Sequence, residues 1–219
     1  MLSVRKLAAL AYNAFHAVGW AYALALMMNS ILLSGNGNEF DFEASGGGVV
    51  VALQTIALVE PILCLFGVIP SSIITVIFQL IARNVVILLA VARHPELQDH
   101  TSVKLFLVGW MAIEVIRFPW LCFKIVGQPP KALTYIRYAA PLLLYPIGGA
   151  GEGWTMWRAK NSADAFTFAG ASFTLGSFIV YVYLPLYLPG FFYLYANAFK
   201  QFKRQSKRLA APFANKKRN

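Results

Sequence analysis

The sequence predicts an all-α fold: a polytopic integral membrane protein, a six-transmembrane-helix bundle with a broken-helix active site. Three observations carry this. Hydrophobic residues make up 58 % of the 219-residue chain and charged residues 13 %, about half the roughly 25 % usual in a soluble domain. Apolar runs of about 20 residues, long enough to cross a ~30 Å hydrocarbon core, recur along the chain. One stretch, "LLLYPIGGAGEGWTMWRAK" (142–160), interrupts an apolar run with Pro146, Gly148, Gly149, Gly151 and Gly153 and carries Glu152 among them.

The elements follow in chain order. "MLSVRKLAALAYNAFHAVGWAYALALMMNSILL" opens on basic residues, but its apolar run is too long for a signal peptide and no small-residue cleavage site follows. It reads as a retained first helix, at about 8–33. The loop "SGNGNEFDFEASGGG" contains three acids and no base, which places it on the non-cytoplasmic side. The second and third spans, about 49–69 and 71–92, are separated by little more than Pro70; together they exceed one bilayer crossing, so two helices joined by a tight turn are expected. The fourth, fifth and sixth spans fall at about 103–126, 133–149 and 166–198, the last kinked at Pro185 and Pro189. Arg5 and Lys6 before the first span and the basic tail after the last then share the cytoplasmic side, as an even number of spans requires. Residues 1–199 are expected to form the transmembrane domain and 200–219 a disordered basic cytosolic tail.

The net charge of +10 is local: eight of the 19 Lys and Arg follow Phe199. That argues against nucleic acid as a partner and for positive-inside topology with attraction to anionic membrane lipid. Cys64 and Cys122 both lie in apolar runs, so no disulfide framework is indicated. His16, His94 and His100 lack ligand spacing, and no metal site is expected.

A charged side chain at mid-bilayer costs at least ~2.5 kcal/mol, so each needs a reason. Glu60, Arg83, Glu114, Arg117, Arg137 and Glu152 lie within or at the ends of the spans. Gln79 with Arg83, and Glu114 with Arg117, are spaced to share a helix face. Arg137, Tyr138 and Tyr145 fall on one broad face of the fifth span. Several helices thus point polar groups toward a common cavity. For Glu114 with Arg117 the first reading is an ion pair that fastens the bundle. Arg83 is too deep to snorkel and either lines the cavity or pairs internally, and Glu60, beside Pro61, is open to either role. The cluster "FIVYVYLPLYLPGFFYLYANAF" reads as interfacial belt residues, with no catalytic tyrosine assigned.

Tyr145 and Glu152 are seven residues apart. On a continuous helix they would share a face about 10 Å apart along the axis, long for two groups acting on adjacent atoms. Pro146 and the glycines are expected to break the helix, and glycine permits a turn that brings Glu152 back. Non-helical backbone at membrane depth is tolerated only against protein or a water-filled cavity. The break therefore argues for a cavity with an acid/base pair at its wall. A phenol and a carboxylate suit a reaction that removes a proton from one atom and protonates a leaving oxygen on the next.

These residues resemble a family, the endoplasmic-reticulum 3-hydroxyacyl-CoA dehydratases, once called protein tyrosine phosphatase-like proteins. The likeness runs from about Tyr12 to Lys200. "YNAFHAVGW" resembles the family's Tyr-Asn with a Trp farther on, and "VEPILCLFGVIPSS" its Glu-x-x-His…Gly…Pro-Ser-Ser segment. "QLIAR" resembles its Gln-x-x-x-Arg, and "WMAIEVIRF" its Trp-x-x-x-Glu-x-x-Arg-Tyr. Most specifically, "RYAAPLLLYPIGGAGE" resembles its Arg-Tyr…Tyr-Pro-x-Gly-x-x-x-Glu, which carries the family's catalytic Tyr and Glu, here Tyr145 and Glu152, with Gly148 as a supporting position. The chain departs from the pattern at Leu63, where the family has His, and at Gly151, where Ser is common.

The resemblance implies the third step of very-long-chain fatty acid elongation, in which a (3R)-3-hydroxyacyl-CoA loses water to give the trans-2-enoyl-CoA. Glu152 is favoured as base and Tyr145 as acid. Arg83, Arg117 and Arg137, with Glu114, are candidates for orienting the pair or meeting thioester or phosphate charge. No cofactor is implied beyond the CoA of the substrate, because the thioester already acidifies C2. Condensing enzyme and reductases of the same cycle are implied as partners. A phosphatase reading fails, because a Cys-x5-Arg loop would need Arg where Pro70 and Gln128 stand. Lys216 and Lys217 in "KKRN" fit a dilysine retrieval signal and an endoplasmic reticulum membrane address with both termini cytosolic. Two other classes compete: a non-catalytic scaffold of the elongation complex, and a small transporter, which would show paired broken helices in two inverted halves.

Overall fold

A computed structural model describes residues 2–34, 40–69, 73–161, 164–168 and 171–216. In chain order the elements are α1 (Val4–Ser34), α2 (Gly47–Ala57), α3 (Glu60–Leu65), and α4 (Ile73–Asn84), which runs on through π-helical turns at Val85–Val91. Next come α5 (Pro95–Gln98), α6 (Thr101–Val126), α7 (Lys131–Ala159) and a hairpin of β1 (Ala165–Phe168) and β2 (Ala171–Thr174). The chain ends in α8 (Leu175–Phe178), a π-helical turn at Ile179–Tyr183, and α9 (Leu184–Lys216). The protein is an all-α membrane protein, as the composition implied.

Among the described residues, four helical stretches are long and apolar enough to cross a bilayer: Val4–Leu33, Gly47–Leu65, Thr101–Val126 and Leu175–Leu209. The remaining two of the expected six segments are also helical, the shorter apolar run Val76–Val91 and α7. Large apolar side chains face outward along them: Val18 is 70 % exposed, Leu65 73 % and Phe78 71 %. In water such a surface would be an aggregation site; in a bilayer it meets lipid.

Inside, α6 is the central helix. It packs against α1 on one side and α7 on the other, and α9 covers α7. Trp20 and Met27 of α1, Phe106, Met111 and Phe118 of α6, and Ile87 of the π-helical segment fill the shared core.

Several expectations need correction. The second span is interrupted at Leu58 and Val59, where α2 ends and α3 begins. Pro61 lies in the first turn of α3, where its missing N–H leaves no helical bond unmade. The expected turn at Pro70 lies outside the described residues. The sixth span does not begin at residue 166: residues 165–174 form an antiparallel hairpin pairing Ala165 with Thr174 and Phe168 with Ala171. Phe and Thr suit strands, and Thr174 then caps the helix that follows, its hydroxyl accepting from the Ser177 N–H at 3.1 Å. The basic tail is helical through Lys216, because Lys, Arg, Gln and Ala extend a helix that is already nucleated.

The largest correction concerns 142–160. The helix does not break there: α7 is continuous over 29 residues with Pro141 and Pro146 inside it. Pro146 cannot donate to the carbonyl four residues back, that of Leu142. Tyr195 of α9 donates its hydroxyl to that carbonyl at 3.3 Å, the kind of neighbouring-helix repair that lets membrane helices keep proline.

The glycines serve close packing on two faces. A Cβ on Gly151 would stand 2.8 Å from the Phe106 nitrogen and the Ser102 carbonyl oxygen of α6, and one on Gly109 3.2 Å from the Gly148 Cα. On the other face, a side chain at Gly149 would run into the Phe191 ring of α9, and Tyr187 covers Gly153. Small residues at these spacings let helix backbones approach in a membrane. Gly151→Val therefore forces α6 and α7 apart and costs about 1–3 kcal/mol; a lower melting temperature in detergent checks this, and an unchanged one contradicts it.

Candidate active site

Trp110, Glu114 and Arg117 of α6 are spaced to lie on one helix face. Glu114 is 3 % exposed, and its two carboxylate oxygens are each taken by an arginine. Arg83 of α4 donates to Oε1 at 2.6 Å, and Arg117 donates to Oε2 at 2.5 Å. Two charge-assisted bonds offset the desolvation of one carboxylate. Arg83 also lies over the Trp110 ring, 4.5 Å from its centroid. The sequence placed Glu114 and Arg117 together on one helix; the structure adds Arg83 from another and makes the group a triad.

Trp110 joins this triad to Glu152. Its indole N–H donates to Glu152 Oε1 at 2.5 Å, while its face carries Arg83. Glu152 is half-buried at the junction of α6, α7 and α9, between the two glycine faces of α7. Among the described residues it has no salt bridge within 4 Å. Its hydrogen-bond donor among the described residues is the neutral indole; the Tyr187 phenol, from α9, donates to the Gly149 carbonyl one turn away at 2.8 Å. Glu114 is committed to two cations; Glu152 keeps a carboxylate oxygen available.

Tyr145 sits at the midpoint of α7 and is half-buried, with no hydrogen bond among the described residues. It shares a face with Glu152 about 10.5 Å away along the helix axis. The expected turn that would bring the two together is absent, because the backbone between them is helical. Arg137 lies two turns before Tyr145 on α7, and its Nε is buried without a hydrogen-bond partner among the described residues. Gly148 lies against Gly109, so its role here is helix packing.

A second polar cluster occupies the α1 side of α6. Tyr12 donates to Glu60 Oε1 at 2.8 Å. A cavity of about 30 Å³ is lined by His16, Gln54, Glu60, Gln79, Arg83 and Arg117, room for a water molecule or two. Between α7 and α9 lies a much larger apolar groove, about 700 Å³, lined by Pro146, Gly149, Gly153, Leu184, Tyr187 and Phe191 among others. Tyr187 thus belongs both to the groove wall and to the surroundings of Glu152. Among the described residues no group of His, Cys, Asp and Glu is arranged to hold a metal ion.

Sequence reasoning missed Trp110 and Tyr187. Trp110 stood inside a quoted motif, one turn before Glu114 on the face already read as inward, and that spacing was the available signal. Tyr187 was grouped with the interfacial aromatics, yet it is four residues from Tyr183 and four from Phe191, and their rings stack along one stripe that runs from the π-helical turn into α9.

Residues 54–208 match the model of a family described as protein tyrosine phosphatase-like protein, PTPLA. The chain is 27 % identical over 197 residues, 87 % of its length and 77 % of the relative's, to the Homo sapiens protein named very-long-chain (3R)-3-hydroxyacyl-CoA dehydratase 2. It is 30 % identical over 148 residues, 68 % of its own length and 52 % of the other's, to the Mus musculus protein named dehydratase 1 of that series. To the Mus musculus protein named dehydratase 3 the identity is 24 % over 210 residues, 90 % of this chain and 58 % of the relative. No solved structure matches the chain.

Proposed function

The chain belongs to the protein tyrosine phosphatase-like (PTPLA) family, and from that premise we propose that it is a hydro-lyase converting a very-long-chain (3R)-3-hydroxyacyl-CoA to the trans-2-enoyl-CoA. The observation that carries this reading is Glu152. It is a carboxylate inside a membrane bundle, oriented by the Trp110 indole N–H and free of the arginines that occupy Glu114. A membrane carboxylate held by a neutral donor and engaged in no ion pair among the described residues suits a general base.

In the reaction Glu152 removes the pro-leaving C2 proton, whose acidity comes from the adjacent thioester. The C2–H electron pair becomes the C2=C3 double bond, and the C3–O bond breaks. Tyr145 gives its proton, through an intervening water, to the departing hydroxyl, which leaves as water; transfer of a proton from Glu152 back to Tyr145 through solvent resets the pair. The two side chains share one face of α7 about 10.5 Å apart along its axis, so the hydroxyacyl segment would lie along that face between them, with Glu152 meeting C2 and a water relaying the proton of Tyr145 to the C3 oxygen. No cofactor takes part in this scheme beyond the CoA carried by the substrate. Arg137, two turns away on the same helix with its Nε buried and without a hydrogen-bond partner among the described residues, is a candidate for orienting the Tyr145 phenol or meeting thioester or phosphate charge.

The same reading assigns the chain to the dehydration step of fatty acid elongation in the endoplasmic reticulum membrane, with both termini cytosolic and with the condensing and reducing enzymes of that cycle as partners. The test is turnover of a long-chain 3-hydroxyacyl-CoA by membranes containing the protein. Wild type should form the enoyl-CoA, and Tyr145→Phe should lose about 10²–10⁴-fold in kcat, the usual value of a general acid. Full activity in Tyr145→Phe would remove Tyr145 from the mechanism, and no turnover by wild type would remove the function.

A further inference from the structure

Glu152 is faced by α9 as well as by α6, and two phenols, Tyr187 of α9 and Tyr183 of the π-helical turn before it, have no part in the chemistry above. Tyr183 and Tyr187 are four residues apart and stack with ring centroids 5.4 Å apart and planes at 18°. Tyr183 ends the π-helical turn at Ile179–Tyr183, a local irregularity of the kind that gathers at functional sites.

The Tyr187 hydroxyl donates to the Gly149 carbonyl at 2.8 Å, and its Cε1 lies 3.7 Å from where a side chain at Gly153 would begin. The phenol therefore straddles the turn of α7 that contains Glu152. In the helical ladder the Gly149 carbonyl is also the acceptor for the N–H four residues on, so the phenol can leave it for the nearby carboxylate without orphaning it. Tyr183 is 7 % exposed, yet its hydroxyl has no hydrogen-bond partner among the described residues. A buried donor without an acceptor is costly and calls for an explanation. The Tyr183 ring stacks on that of Tyr187, which spans the turn of α7 containing Glu152.

We propose that Tyr187 and Tyr183 complete the Glu152 site: Tyr187 is a positioning residue that holds the carboxylate against Trp110, and Tyr183 is the hydrogen-bond donor for the thioester carbonyl oxygen of the bound substrate. That oxygen gains negative charge as C2 loses its proton, and a donor fixed there in advance lowers the barrier without reorganisation. The inference rests on the reading of Glu152 as the group that deprotonates a hydroxyacyl-CoA.

The experiment is steady-state dehydration by the purified full chain in nanodiscs, with Tyr187→Phe, Tyr183→Phe and, as control, Tyr181→Phe, whose ring is 78 % exposed. Each substitution removes one oxygen and keeps the ring. Tyr187→Phe is expected to lower kcat about tenfold with KM unchanged, as loss of a bond to a charged group does. Tyr183→Phe is expected to lower kcat/KM by about 10²-fold, as loss of an oxyanion donor does, and Tyr181→Phe to match wild type. Because Trp110 and Tyr187 act through the same carboxylate, the Trp110→Phe/Tyr187→Phe pair should fall short of the product of its single effects. If wild type turns over and Tyr183→Phe and Tyr187→Phe both stay within about twofold of it, a difference well under 1 kcal/mol, the inference is overturned while the dehydratase reading stands. Losses that merely follow a lower melting temperature also overturn it. A wild type without turnover overturns the reading and this inference with it.

Discussion

Glu152→Gln is expected to abolish dehydration, lowering kcat by about 10³-fold or more, while the protein still inserts and folds. Glutamine has the shape of glutamate and keeps an oxygen that can accept from the Trp110 indole N–H, which now meets Glu152 at 2.5 Å. The close approach of α7 to α6 and α9 is made at its glycines, which the substitution leaves in place. What the substitution removes is the ability to bind a proton. Wild-type melting behaviour with lost turnover would separate chemistry from structure; retained turnover would mean that another group takes the C2 proton.

Glu114→Ala should produce the largest loss of stability. The carboxylate is 3 % exposed and is shared between Arg83 at 2.6 Å and Arg117 at 2.5 Å. Removing it leaves two guanidinium groups facing each other inside the bundle, a change worth about 3–5 kcal/mol where one partner of a buried pair is deleted. Thermal unfolding in detergent reads this directly. The triple variant Arg83→Met, Glu114→Leu, Arg117→Leu should regain most of the lost stability, because apolar groups of similar size replace a buried ion cluster at little cost. Its activity is informative as well. Arg83 lies on the ring of Trp110, whose N–H holds Glu152, so the triple variant is expected to be stable and slow. A triple variant as active as wild type would show that the triad fastens the bundle and nothing more.

Much of this arrangement was legible in the sequence. Low charge and long apolar runs gave a helical membrane protein, and the spacing of Glu114 and Arg117 gave a shared inward face. The glycines were misread because Pro146 and four glycines in eight residues look like a break when taken as composition. Taken as spacing they are helical: Gly148 and Gly151 fall on the face toward α6, Gly149 and Gly153 on the face toward α9. The proline was absorbed by a hydroxyl from α9 that no local reading of α7 contains. The pairing of Arg83 with Glu114 joins residues 31 apart in sequence, and that of Trp110 with Glu152 residues 42 apart. Such contacts depend on which helices become neighbours, and hydropathy does not encode that. The hairpin at 165–174 was hidden because aromatic and Thr-rich residues continue the apolar character of the helix that follows.

The central claim is that Glu152 moves the C2 proton, and hydration in D2O tests it most directly. The purified protein is given a long-chain trans-2-enoyl-CoA in D2O, and the 3-hydroxyacyl-CoA formed by the reverse reaction is analysed by mass spectrometry and NMR. Wild type should place one deuterium at C2, and Glu152→Gln should leave the enoyl-CoA unchanged over the same time. Hydration by Glu152→Gln at the wild-type rate, with deuterium at C2, would contradict the account.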